Sequence, residues 1–294
     1  MANAQEFYLD HGPMGAPGAA RAEVKSLPAD VGALCRIVQG ILIHRDIAPS
    51  LYERKLTREA RDSANTRAIA SMLAKVKEDN LPIAEVREVG SRFPCVCWHF
   101  SVLLASMLRE RGVPARARCG FGAYFVPGRF EDHWVAEYWN ERARRWVLVD
   151  AQLDAIQVKT FKPDFDPLDV PHNRFILAGD AWLQCREGRA DENKFGLSFL
   201  KEQGLWWIAG NLIRDVASLN RMPMLPWDVW GLMREPSQPA YNPEEAALLD
   251  RAARLTLAGD EALPEIVELY RDPRFAVPEM VFNVDRRVRE AVVP

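Results

Sequence analysis

The chain has 294 residues and a mass of 33.3 kDa, with 48% hydrophobic and 27% charged residues, enough to bury the core of one large domain or two small ones. A net charge of -3 and a pI near 6.0 exclude the strongly basic balance that nucleic-acid or anionic-membrane partners call for. No run of roughly 20 apolar residues is present to span a bilayer.

The opening stretch, MANAQEFYLDHGPMGAPGAARAEVK, lacks the basic segment followed by an apolar run that marks a secretory signal. Rich in Gly, Ala and Pro, residues 1–30 read as a flexible N-terminal arm. The five cysteines, Cys35, Cys95, Cys97, Cys119 and Cys185, are odd in number and follow no disulfide-framework spacing, so a reducing, cytoplasmic setting is expected.

Residues 31–90 read as a helical N-terminal part. Leu34, Ile37, Val38 and Ile41 recur at helical spacing, as do Ile69, Met72, Leu73 and Val76. The clearest helix is expected over 97–111, with Phe100, Leu103, Leu104, Met107 and Leu108 on the face that also carries Cys97. Pro94 precedes it, Gly112 follows as C-cap, and Pro114 bars continuation.

The period then changes to two. ARARCGFGAYF, DHWVAEYWN and RRWVLVDAQLD read as antiparallel strands, the last two joined by the charged turn NERARR. Beyond residue 165 the texture is helical, with Trp206, Trp207, Trp227 and Trp230 read mainly as core and amphipathic helices expected near 244–257, 261–271 and 284–291. The division expected is therefore an arm (1–30), a helical part (31–90), a core (91–165) and a helical C-terminal extension (166–294) forming one compact unit with that core.

The stretch PCVCWHF places Cys95, Cys97 and His99 within five residues, which suggests a metal site. Their one-residue gaps differ from zinc-knuckle spacing, no second ligand cluster follows, and a CxC pair lacks the spacer of a dithiol redox motif. His99 falls on a different helical face from Cys97, towards solvent or a neighbouring loop. Neither a metal nor a cofactor is expected.

A hairpin turn centred between Glu141 and Arg142 pairs His133 with Asp150, where a carboxylate accepts from imidazole. Such a carboxylate orients the ring and stabilises its protonated form. Cys97, at a helix N-terminus where the dipole favours thiolate, is the candidate nucleophile. Glu137 shares the His133 face and Gln152 the Asp150 face; both are candidate substrate or supporting contacts, and each is as readily a solvated or paired structural residue. Cys35, Cys119 and Cys185 read as packing.

These segments resemble the transglutaminase-like superfamily of thiol enzymes. Its core runs as a cysteine opening a helix, a helix end R-x-x-G-[IV]-P-A-R, a strand beginning H-[AW]-[WV]-x-E and a strand ending in Asp. Here they stand as CWHFSVLLASMLRERGVPAR, DHWVAEYW and RRWVLVDAQ. In the family the cysteine lies about fifteen residues before the helix-ending glycine, the distance from Cys97 to Gly112, which selects Cys97 over Cys95.

The resemblance covers roughly residues 90–155, with weaker likeness through the helical flanks to a bacterial subgroup. It implies an α+β, papain-like cysteine-proteinase fold with the nucleophile helix packed on an antiparallel sheet. It further implies Cys97 as nucleophile, His133 as acid/base and Asp150 as third member. Trp98 follows the nucleophile where a polar residue is usual, so it joins Trp134, Glu137 and Gln152 among the candidate substrate contacts.

The implied reaction is attack on an amide or thioester carbonyl to form a thioacyl-enzyme, released by water or an amine. Peptide, amide and carrier-protein thioester substrates fit this chemistry, and the long helical flanks suit a dedicated substrate or carrier surface. The alternatives are an amide-forming acyltransferase in small-molecule biosynthesis and a non-catalytic binding module that keeps the fold. No nucleic-acid or membrane partner is expected.

Overall fold

A computed structural model describes residues 3–292 and shows a mixed helix and sheet protein. The described residues divide into two compact units, one of residues 3–117 and 135–170, the other of residues 118–134 and 171–292. The segment 91–165 expected as one core is shared between them, with 91–117 and 135–165 in the first unit and 118–134 in the second.

In the first unit the N-terminal segment is not a loose arm. From Asn3 onward it forms short helical turns that bury Tyr8, Met14 and Val24. The Arg109 guanidinium explains the attachment, donating to the carbonyls of Tyr8 at 3.2 Å and His11 at 3.1 Å. His11 Nε2 in turn meets Glu110 at 2.8 Å. Small and apolar residues read as flexible in isolation are here fixed by long-range polar contacts.

The helix Val31–Ile41 starts where Asp30 caps the Ala33 N–H at 2.7 Å, and it buries the expected stripe of Leu34, Ile37, Val38 and Ile41. Ile69–Val76 likewise buries Ile69, Met72, Leu73 and Val76. Two short parallel strands, β1 (Leu42–His44) and β2 (Phe93–Cys95), follow and pair.

Cys97–Glu110 is the central helix of this unit and packs against the helices at 12–15, 21–26, 31–41 and 69–76. It was expected to bury one face; instead every residue from Cys97 to Arg109 is buried, because neighbours surround it. Each fully buried Leu, Met or Phe there is worth about 1.5–3 kcal/mol. Gly112 ends it at φ +74°, with the Gly112 N–H on the Arg109 carbonyl and the Val113 N–H on the Leu108 carbonyl, the paired bonds of a Schellman stop.

Four longer or shorter strands come next: β3 (Ala115–Gly122), β4 (Phe130–Asn140), β5 (Arg145–Val149) and β6 (Phe175–Leu177). β5 pairs antiparallel with the C-terminal half of β4, from Asn140↔Arg145 to Ala136↔Val149. The turn is therefore 141–144, centred one residue later than expected. The Asn140 side chain accepts from the Ala143 N–H at 2.9 Å and Arg144 adopts φ +52°, which together fix that centre.

In the second unit the N-terminal end of β4 pairs with β7 (Phe195–Leu197), which pairs with β8 (Glu202–Gln203), while the end of β3 pairs with β6. Helices Ala178–Arg186, Leu205–Leu219 and Pro243–Ala258 pack on one another, and Leu263–Tyr270 joins them. Asp215 ties Leu205–Leu219 to β3 by accepting from Arg118 and from the Cys119 N–H.

The helix expected near 284–291 is instead part of a hairpin. β9 (Asp228–Val229), β10 (Met280–Asn283) and β11 (Val288–Ala291) make a three-stranded sheet in the order β11-β10-β9. Asn283 accepts from the Arg286 N–H at 3.0 Å and Arg287 sits at φ +58°, so turn chemistry outweighs the weak helical pattern. The C-terminal extension is accordingly mixed rather than wholly helical.

Candidate active site

Cys97 is the first residue of its helix and is 6% exposed. The chain approaches it through β2, whose Cys95 carbonyl accepts from the Arg45 N–H at 2.7 Å, so the entry to the helix is held by sheet-like bonds. Ser101 Oγ donates to the Cys97 carbonyl at 3.0 Å. The thiol thus sits at the positive end of a 14-residue helix whose start is fixed on both sides.

His99, expected at solvent or a loop, is fully buried and meets a loop carbonyl. Its Nδ1 accepts the Val96 N–H at 3.3 Å, and its Nε2 lies 3.1 Å from the Thr66 carbonyl. These partners require the neutral ring with the proton on Nε2. Burial is the main cause that lowers its pKa to about 3. Both ring nitrogens are therefore occupied in holding the helix start. Among the described residues no group of three or more His, Cys, Asp or Glu is arranged to hold a metal ion.

Burial raises the pKa of three other thiols. Cys95 is pushed well above its usual value, first by desolvation and then by the neighbouring Cys97. Cys35 rises to about 12 through burial and then the charge of Asp150, and Cys185 rises to about 12 through burial and then Glu192. These three are poor nucleophiles near neutral pH.

Asp150 lies in the same unit as Cys97 and is 1% exposed. Its Oδ1 accepts the Gln152 N–H at 3.0 Å, and its own N–H donates to the Pro167 carbonyl at 2.9 Å. The β4–β5 register ends at Ala136↔Val149, before Asp150, and its offset differs by two positions from the one that would pair His133 with Asp150. The one-residue displacement of the turn moves the partner by two positions.

His133 belongs to the second unit and is 2% exposed, in an aromatic setting. The Phe125 ring lies edge-on at 4.8 Å, Tyr124 at 5.9 Å and Phe175 at 6.3 Å. Beside it in sequence, Asp132 accepts from Trp207 Nε1 at 2.7 Å, and its carboxyl pKa is raised by burial.

The remaining candidates have structural partners. Glu137 accepts from buried Arg116 at 2.5 Å, and that guanidinium lies over the rings of Trp146 at 4.0 Å and Tyr8 at 4.7 Å. Trp98 and Trp134 are wholly buried and are core residues. Gln152 donates to Gln157 Oε1 at 3.0 Å, and Gln157 donates to the Tyr52 hydroxyl at 3.0 Å, which donates to Asp154 at 2.6 Å. This buried polar chain beneath the Asp150 strand end was not anticipated; a Tyr 100 residues upstream carries no local signal of it.

Among the described residues no helix is long and apolar enough to cross a membrane. No curated protein and no solved structure matches the chain. A family model does match: that of the transglutaminase-like superfamily, over residues 51–151. The match begins well before the segment 90–155 in which the resemblance was read, and it contains Cys97, His133 and Asp150. Residues 51–151 are thus similar to the transglutaminase-like superfamily, whose members are generally cysteine enzymes.

Proposed function

We propose that this protein is a thiol acyl-transfer enzyme that forms a thioacyl intermediate at Cys97 and passes the acyl group to water or an amine. The observation that carries the reading is the position of Cys97: first residue of a buried helix, inside the segment matching the superfamily core. The burial of three other thiols supports it, since desolvation disfavours the thiolate at Cys35, Cys95 and Cys185.

In this reading the Cys97 sulfur attacks an amide or thioester carbonyl, and its proton passes to His133. The oxyanion is stabilised by N–H groups at the helix start, including that of Cys97. Collapse breaks the bond to the leaving amine or thiol, which takes the proton from His133. Water or an acceptor amine then attacks the thioester with His133 as base, releasing acid or amide and regenerating the thiol. The resemblance to the superfamily assigns Asp150 the role of orienting carboxylate. A papain-like arrangement, with peptide, amide or carrier-bound thioester substrates, is the fold and substrate range that goes with this chemistry.

The test is intact-mass analysis of the protein incubated with acyl-carrier thioesters or activated amides, with and without amines. A covalent acyl adduct that maps to Cys97 and disappears in Cys97→Ala is expected. Adduct discharge by water identifies a hydrolase, and discharge by amine alone identifies an amide-forming enzyme. Absence of any adduct across the panel would favour the non-catalytic module.

A further inference from the structure

The first unit contains a cleft of about 500 Å³, within the size range of small-molecule sites. Its charged lining consists of Arg54, Lys75, Arg87 and Arg92 against Glu78 and Asp79. Two of these cancel: Arg87 Nε and Nη2 donate to Asp79 at 3.0 and 3.2 Å. Lys75 rests on the Thr66 hydroxyl at 2.9 Å, leaving Glu78 as the sole lining acid outside that pair. The cleft therefore carries an excess of positive charge.

Arg54 and Arg92 are the unusual members. Arg54 uses only Nη1, which donates to the carbonyls of Val89 at 2.9 Å and Arg92 at 2.7 Å. Arg92 uses only Nε, donating to the Arg87 carbonyl at 3.2 Å. Among the described residues neither forms an ion pair with an acid. Burial, then the positive charge of Arg92, lowers the pKa of Arg54, so the two guanidiniums stand as like charges on one cleft. A structural role accounts for Arg54 Nη1, which clamps the loop before β2, but not for the idle fork of Arg92.

We propose that this cleft binds a small molecule with an oxyanion head, a carboxylate or a phosphate, held by the unused guanidinium N–H groups of Arg54 and Arg92. Planar guanidinium forks match both head groups in two-pronged fashion, and an anion between them relieves their mutual repulsion. Phe93 and Pro94 of β2 supply an apolar wall for the body of the ligand. The inference stands independently of the thiol chemistry, since it uses neither Cys97 nor its partners.

The experiment is calorimetric titration of the full chain at low ionic strength with inorganic phosphate and, separately, with succinate. Saturable binding of at least one probe is expected, weakened about tenfold or more in Arg92→Gln and Arg54→Gln and unchanged in Arg142→Gln, in the exposed turn. Arg92→Gln sacrifices one carbonyl bond and keeps the test valid if Arg54→Gln disturbs the loop; Arg92→Lys, retaining charge without the fork, is expected to fall between. Phosphate binding without succinate binding identifies a phosphate ester as ligand class, and the reverse an organic acid. Failure of both probes to saturate, or equal affinity in folded Arg92→Gln and wild type, overturns the proposal.

Discussion

The imidazole of His99 turns back to accept the backbone N–H of Val96 at 3.3 Å, so a side chain in the first turn closes the entrance to its own helix. Its other nitrogen reaches the Thr66 carbonyl. A protonated ring cannot accept from Val96, so protonation and the clamp exclude each other. The folded pKa of about 3 lies below the ordinary 6.5. The clamp's contribution is therefore complete above pH 6.5 and is lost as pH falls towards 3. Urea unfolding between pH 7 and pH 5 should show stability falling by up to about 1.4 kcal/mol per pH unit from this group. His99→Gln should flatten that slope; equal slopes in the two proteins would count against the clamp.

Glu137 and Arg116 form a pair whose side chains are 5% and 4% exposed. Removing one partner leaves the other charged and sealed from water. Glu137→Ala should cost about 3–5 kcal/mol in denaturant unfolding, whereas removing both charges with Arg116→Met and Glu137→Leu should cost less than the sum of the single changes. Additive losses would show that the two groups act independently. The Arg116 stem also packs between Tyr8 and Trp146, so its own removal includes a packing loss.

Two glycines should respond differently to an added methyl. Gly112 has φ +74° and open space around its Cβ position, so Gly112→Ala should cost only the left-handed conformation, about 1–2 kcal/mol. At Gly179 an added Cβ would stand 2.4 Å from Thr256 Oγ1 and 2.9 Å from the Ala253 carbonyl oxygen. Gly179→Ala should cost more, because two helices must separate. Thermal unfolding with the reverse order would contradict the helix packing described.

The apolar stripes at 34–41 and 69–76 and the stop at Gly112 were legible because periodicity and capping are local. The register of β4 and β5 was less so. NERARR admits more than one turn centre, and only the Asn140 side chain and the left-handed Arg144 select one. For His99 the neighbouring loop was legible but not the burial, because a helical-wheel reading assigns each face to core or solvent and this helix has core on every side. The N-terminal segment was misread for the same physical reason in reverse: Arg109, about 100 residues away, supplies the bonds that order it. The position of Cys97 at the start of a helix was legible from the helical pattern that follows it. Arg54 and Arg92 were not, since neither belongs to a periodic segment.

The central claim, that Cys97 is the working thiol, is tested most directly by site-resolved alkylation. Limiting iodoacetamide at neutral pH, read by peptide mass spectrometry over time, should modify Cys97 first. Cys35, Cys95 and Cys185 should lag, since burial holds each of their thiol pKa values high. Prior modification of Cys97 should abolish acyl-adduct formation. Faster modification of Cys95 or Cys119, or undiminished acyl transfer in Cys97→Ala, would contradict the account.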